Sequence, residues 1–225
     1  MRGMVRSLNL TDEYMKTKGE LEKLLRVDTI EIPNRNLIRS LEDCMQKIYE
    51  YDEALLRHSL AVSLLGGFIG TNLEMTTDEV DELYIAGALH DIGKIFIPIR
   101  IMGKQGQLDE DERKIIEAHP AYSIWYLTTG NTEEKPQYYS HKILDMIRYH
   151  HEEVSGHGYP YGLRRNQINT GAKIIAVADK LEAYGAKRSY HEARTLEQCK
   201  EFIKLQIEED VLDNKIATAV LFMLR

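Results

Sequence analysis

With 225 residues, 43% of them hydrophobic and 29% charged, the chain is long enough to bury a sizeable core, and its composition is globular rather than disordered. Its 29 basic and 36 acidic side chains leave a net charge of −7, the wrong sign for a binder of nucleic-acid polymers, so any phosphate it handles must meet positive charge that is local. The most apolar run, residues 61–70, is only about half the roughly 20 residues of a membrane span, and the N-terminus has two positive charges with no apolar region behind them. The chain is therefore read as having no signal peptide and no membrane partner, in a cytoplasmic setting.

In chain order, residues 8–25 carry a helical apolar pattern with Thr11 as its cap, and residues 27–36, with Pro33, read as a link. Residues 37–49 are helical again. The first 49 residues thus read as a small N-terminal helical extension to a main domain over 50–225. Residues 55–73 form a long, largely apolar helix, central and buried. Thr76-x-x-Glu79 is a capping box that opens a helix running to Leu89. Asp109-x-x-Glu112 opens another, which Pro120 interrupts or restarts. Residues 142–151 are helical, and residues 153–166, rich in glycine and holding Pro160, form a structured loop. Residues 171–184 make a further apolar helix, Thr195-x-x-Gln198 opens the next, and residues 212–224 the last. Only residues 95–99 hint at strand alternation, so the expected fold is all-α. Cys44 and Cys199 lie far apart and read as free thiols of a reducing compartment rather than a disulfide.

Five of the eight histidines fall in tight settings: His58 on the central helix, His90-Asp91, His119-Pro120 and the pair His150-His151. Asp179 closes the apolar run Ile174-Ile-Ala-Val-Ala-Asp179, and a carboxylate there must be paired or bind a metal. A lone histidine on an apolar face is usually a satisfied core residue, but the combination reverses that reading. Imidazoles with carboxylates suit iron, manganese or zinc. His58, His90, Asp91, His119, His150, His151 and Asp179 are more ligands than one ion needs. They suit two divalent ions about 3.5–4 Å apart, with Asp91 as the bridging carboxylate. Such a pair can hold a hydroxide and neutralise phosphate oxygens as charge develops.

Leu89-His-Asp-Ile-Gly-Lys94 resembles the signature of the HD superfamily of metal-dependent phosphohydrolases, and His150-His-Glu-Glu-Val-Ser-Gly-His-Gly-Tyr-Pro160 resembles the second signature of its HD-GYP branch. Residues 97–108, His119-Pro-Ala-Tyr-Ser123, Ala178-Asp-Lys-Leu-Glu-Ala183 and Arg188-Ser-Tyr190 are similar to the connecting and closing segments of that branch. The resemblance implies an HD-type helical bundle with a central metal site. It implies phosphodiester hydrolysis of cyclic dinucleotides, chiefly cyclic di-GMP, with two divalent ions, iron or manganese before zinc. It gives the seven ligands their metal roles. Lys94 would bind a phosphate oxygen or protonate the leaving oxygen, and Arg188 would hold phosphate. The loop residues Gly158, Tyr159 and Pro160 would contact partner proteins such as diguanylate cyclase domains, or serve simply as a turn with positive φ at Gly. A homodimer stays open.

The sequence departs from the branch at four places. Ser155 replaces the usual Asp before the first loop glycine, Glu182 replaces Asp, and Ser123 replaces Gly. Ala54 stands where some members have a Glu that binds a third metal, with Glu53 out of register by one residue. Arg164-Arg165 and Lys187-Arg188 read either as guides for a dianionic substrate or as a solvated face. Trp125, Tyr122 and Tyr126 read as core rather than as a base-stacking platform. Two rival functions follow from the same residues: a phosphohydrolase of another nucleotide or an oxygen-using di-iron enzyme, and a weak or dead cyclic-dinucleotide-binding regulatory module.

Overall fold

A computed structural model of the chain describes residues 35–129, 138–186 and 193–224. The helix expected over residues 8–25 lies outside them, as do Lys187, Arg188 and Tyr190. The described residues are helical, without strands: α1 (Arg35–Tyr51), α2 (Glu53–Asn72), α3 (Thr77–Leu89), a 3-10 turn (Ile92–Phe96), α4 (Ile99–Met102), α5 (Glu110–Glu117), α6 (His119–Thr128), α7 (His141–Tyr149), α8 (Thr170–Gly185), α9 (Leu196–Glu208) and α10 (Asn214–Met223).

Short polar side chains start most of these helices. Thr76 with Glu79, Asp109 with Glu112 and Thr195 with Gln198 form reciprocal capping boxes at α3, α5 and α9. Asp52, Ser140, Asn169 and Asp213 cap α2, α7, α8 and α10 through side-chain oxygens that accept first-turn amides. Each such cap stabilises its helix by about 1 kcal/mol. Pro120, in the first turn of α6, restarts the helix where its missing N–H costs nothing.

The strand hint at residues 95–99 is not borne out. Lys94 and Ile97 donate their amides to Asp91 and Lys94 carbonyls at 2.9 Å each, and Ile101 donates to Pro98 at 2.8 Å. With these local acceptors, and no described strand to pair with, the segment turns helically.

α2 packs along α3 and α8, with α7 and α1 completing the layer around them. Leu83, Leu89, Ile92, Ile147, Ile174, Ile175 and Ile203 are fully buried there, each contributing on the order of 1.5–3 kcal/mol. Leu41, Cys44, Met45 and Ile48 bring α1 into the same core. α2, with 20 residues, is long and apolar enough to cross a membrane by length and composition, which the ten-residue run in the sequence did not suggest. Its buried residues include His58, Ser59 and Ser63 beside Leu55, Leu56, Val62 and Ile69, so it is a core helix with a polar stripe. Cys44 and Cys199 are both buried thiols, with no disulfide between them.

Trp125 and Tyr122 correct the sequence reading. Tyr126 is buried, but Trp125 and Tyr122 are 44% and 38% exposed and set their rings against Phe96, itself 41% exposed.

Candidate metal centre

The helices converge on one buried cluster by two different devices. His90 directly follows α3 and Asp91 opens the 3-10 turn; His119 begins α6; His150 and His151 directly follow α7. His58 and Asp179 instead sit inside the neighbouring helices α2 and α8. His58, His90, Asp91, His119, His150 and Asp179 are each buried, with His90, Asp91, His119 and His150 wholly so.

At helix ends the last carbonyls lack an intrahelical amide. His90, His119 and His150 each use one. Their Nδ1 atoms lie 2.8, 2.8 and 2.7 Å from the carbonyls of Gly87, Ile116 and Ile147, three residues back in each case. A ring nitrogen donating to a carbonyl fixes the tautomer and leaves Nε2 as the lone-pair donor. The Nε2 atoms of His119 and His150 then face each other, 3.3 Å apart.

The seven candidate ligands fall into two groups that could each hold a metal ion, with donor atoms within 4.8 Å of one another: Asp91, His119, His150 and His151, and His58, His90 and Asp179. Asp91 touches both. Its Oδ1 lies 3.1 Å from His119 Nε2 and 4.0 Å from His150 Nε2, while Oδ2 lies 3.3 Å from His90 Nε2 and 3.5 Å from His58 Nε2. Asp179 Oδ1 is 3.1 Å from His58 Nε2 and 3.9 Å from His90 Nε2, and its Oδ2 is 3.8 Å from His151 Nδ1.

Two buried atoms of this cluster, His90 Nε2 and Asp91 Oδ1, have no hydrogen-bond partner. A native protein rarely leaves a buried acceptor so, because the desolvation cost is about 1–3 kcal/mol. A divalent cation bound to imidazole nitrogens and carboxylate oxygens removes that cost, so the donor set fits such ions.

The electrostatics agree. Burial would raise Asp91, but His90, Lys94 and the imidazoles of His119 and His58 hold its carboxyl well below the usual range. Burial is likewise outweighed at Asp179 by His58, His151 and His90, which hold it well below normal. Burial lowers His119, and burial with neighbouring imidazoles pushes His150 and His151 well down, so all three are neutral. His58 behaves oppositely. Burial would lower it, yet hydrogen bonds with Asp179, Asp91 and Glu182 raise it to about 11.

Lys94 sits beside Asp91, its Nζ 2.5 Å from Asp91 Oδ2. Gly93 is required next to it: a Cβ there would lie 2.1 Å from the His119 carbonyl and 2.5 Å from the Ser123 amide. Ser123, in place of the family's Gly, is fully buried and joins these segments. Its Oγ accepts the Gly93 amide at 2.8 Å and donates to the His90 carbonyl at 3.1 Å.

The glycine-rich loop lies against the site. Tyr159 stacks on His151 with ring centroids 4.7 Å apart, and its amide donates to the His151 carbonyl at 3.1 Å. The positive φ expected at Gly158 is found at Gly156 and Gly162 instead. Gly158 answers to close approach: a Cβ would lie 2.3 Å from the Glu153 amide. The Tyr159–Pro160 bond is cis. Glu152, which sequence reasoning passed over, is 3% exposed and accepts the amides of Tyr161 and Leu163, each at 2.7 Å. Its adjacency to the His pair is the signal that was there to read.

Other residues named from sequence fall elsewhere. Arg165 is ion-paired with Asp210 and Asp213 at 3.1 and 3.4 Å, which ties it to the chain's end rather than leaving it to steer substrate. Glu53 pairs with Arg57, and Ala54 is exposed and has no donor to offer. Arg188 lies outside the described residues.

The HD domain family profile matches residues 42–216. The chain is 34% identical over 161 residues to a cyclic di-GMP phosphodiesterase of Thermotoga maritima, covering 69% of this chain and 41% of that protein. It is 34% identical over 139 residues to one of Pseudomonas aeruginosa, covering 62% and 32%. A 3'3'-cGAMP-specific phosphodiesterase of Vibrio cholerae is 36% identical over 132 residues, covering 59% and 24%. The chain thus spans less than half the length of these curated relatives. Among solved structures, an HDG"Y"P protein from Bdellovibrio bacteriovorus superposes with a TM-score of 0.62 at 16% identity, covering 93% of this chain and 69% of that one. The HD domain of the L. monocytogenes phosphodiesterase PgpH, in complex with cyclic-di-AMP, gives 0.58 at 17% identity, covering 81% and 93%.

Proposed function

This chain belongs to the HD domain family, and from that premise we propose that it is a metal-dependent phosphodiesterase of the branch its second signature resembles, one that hydrolyses a cyclic dinucleotide, cyclic di-GMP before others. The observation that carries the reading is Asp91, wholly buried, whose two oxygens face the two ligand groups separately. We read the groups as sites for two divalent ions, iron or manganese before zinc.

Ions bound there supply activation of a water and neutralisation of charge developing on the phosphate. The chain's own residues do the rest. Asp91 joins the two ligand groups. The neutral imidazoles of His119 and His150 present lone pairs already aimed inward. Lys94 Nζ, next to Asp91 and 17% exposed, is placed to donate a proton or hydrogen bond to a phosphate or leaving oxygen. Tyr159, stacked on His151, shields that flank from water. Arg188 is assigned to phosphate binding. Gly158, Tyr159 and Pro160 are proposed as a partner surface for a diguanylate cyclase domain. We place the catalytic domain over 50–225 with an N-terminal extension over 1–49, in a cytoplasmic setting that suits the thiols of Cys44 and Cys199.

The test is turnover. Manganese- or iron-loaded chain is incubated with cyclic di-GMP, 3'3'-cGAMP and cyclic-di-AMP in parallel, and linear or mononucleotide products are separated. Product from cyclic di-GMP first is the expected result. Preference for another of the three would reassign the substrate, and absence of product with all three would overturn the proposal.

A further inference from the structure

We propose that Glu182 is the positioning residue for His58: its carboxylate accepts the Nδ1–H of that imidazole and so presents Nε2 to the cation of the His58, His90 and Asp179 group. This rests on reading that group as a metal site.

His90, His119 and His150 stand at helix ends and use free carbonyls three residues back. His58 has no such choice. It lies inside α2, where backbone carbonyls are already bonded along the helix. An acceptor for its Nδ1 must come from another element, and α8 supplies it. Asp179 and Glu182 stand one turn apart on α8 and grip the ring from both sides. Asp179 Oδ1 is 3.1 Å from Nε2, and Glu182 Oε2 bonds Nδ1.

The side chains of His58, Asp179 and Glu182 are 7%, 11% and 13% exposed, so little water competes for Nδ1. On α2 itself, Ala54 has no side-chain acceptor and Glu53 is held by Arg57. A carboxylate acceptor, unlike a carbonyl, carries charge and raises the basicity of the ligand it orients. Glu182 therefore makes His58 a stronger donor than His90, His119 or His150.

The test uses the metal-depleted full chain and zinc ions alone, titrated against a chromophoric chelator. Glu182→Gln and Glu182→Ala are expected to weaken zinc binding about 10–100-fold, with the number of ions bound at saturation unchanged. Glu197→Gln, on the surface of α9, serves as the control and is expected to bind as wild type does. In zinc-loaded wild type, the His58 Nδ1-bound proton is expected at low field in nitrogen-edited NMR, and Glu182→Gln should move it upfield. A loss of thermal stability with that proton unmoved would overturn the assignment, because it marks a merely structural role. A drop in the number of ions bound would also overturn it, because it marks a direct ligand. Zinc binding untouched by either Glu182 substitution would overturn this inference alone. Failure of wild type to bind zinc would overturn the metal-centre reading with it.

Discussion

The two halves of the proposed metal centre are built from the same residue types, and the histidines His119, His150 and His151 of one stand in the opposite electrostatic state to His58 of the other. In the half formed by Asp91, His119, His150 and His151, the histidines are crowded together with one carboxylate, and burial keeps them neutral. In the half formed by His58, His90 and Asp179, one imidazole is ringed by Asp179, Asp91 and Glu182, which raise it to about 11. The first half is ready to receive a cation without losing a proton from its imidazoles. In the second, the His58 imidazolium balances the carboxylates around it, and a metal must displace its Nε2 proton. The backbone explains why His58 stands apart: His90, His119 and His150, at helix ends, borrow carbonyls, and His58, inside a helix, takes a carboxylate from its neighbour.

The largest expected effect erases the comparison altogether. Asp91→Ala removes the ligand shared by both halves, so metal content and turnover should both fall by more than the roughly 100-fold that loss of a supporting group costs. Elemental analysis beside the product assay checks this; retention of both ions would refute Asp91 as the bridge. His150→Ala and His58→Ala then take the halves apart, each expected to lower metal content while leaving the other group's donors in place.

A proton count sharpens the comparison. Below about pH 11 the metal-free His58 carries the proton that the cation must replace. Affinity at the second half should therefore rise with pH, about tenfold per unit for one displaced proton. Acidification weakens it. Calorimetry in buffers of different ionisation enthalpy should show near one proton released on filling that half and none from the imidazoles of the first. Equal release at both would erase the distinction.

Smaller effects should stay within one half. Glu152→Ala strips the acceptor from two loop amides, so about 1–3 kcal/mol of stability should be lost. The loop that carries Tyr159 onto His151 should loosen, which amide hydrogen exchange would report. Ser123→Ala breaks the link between Gly93 and the His90 carbonyl, for about 1 kcal/mol in thermal unfolding and little change in metal content.

Much of the site was legible because its signals are local. The capping boxes at Thr76, Asp109 and Thr195 are side-chain bonds across three residues, and the structure places a helix after each. The His-Asp and His-His steps fall at helix ends, where the first ring of each step finds a carbonyl three residues back. The partnership of Glu182 with His58 spans 124 residues and that of Ser123 with Gly93 spans 30, so both were read only as departures from a pattern. The aromatic trio on α6 misled for the same reason. Helical spacing marks which residues share a face, and only packing decided that Tyr126 would be buried while Trp125 and Tyr122 stayed open.

By itself, then, the order of residues determined where helices begin, which side chains are able to bind a cation, and that the fold is helical, since caps, periodicity and ligand chemistry act within a few residues. Tertiary structure alone decided that Asp91 faces two groups, that a charged acceptor stands behind His58, and that the glycine-rich loop lies against His151 through Tyr159. Those are relations between helices set side by side, and their distances and the dielectric around them do not exist until the core has closed.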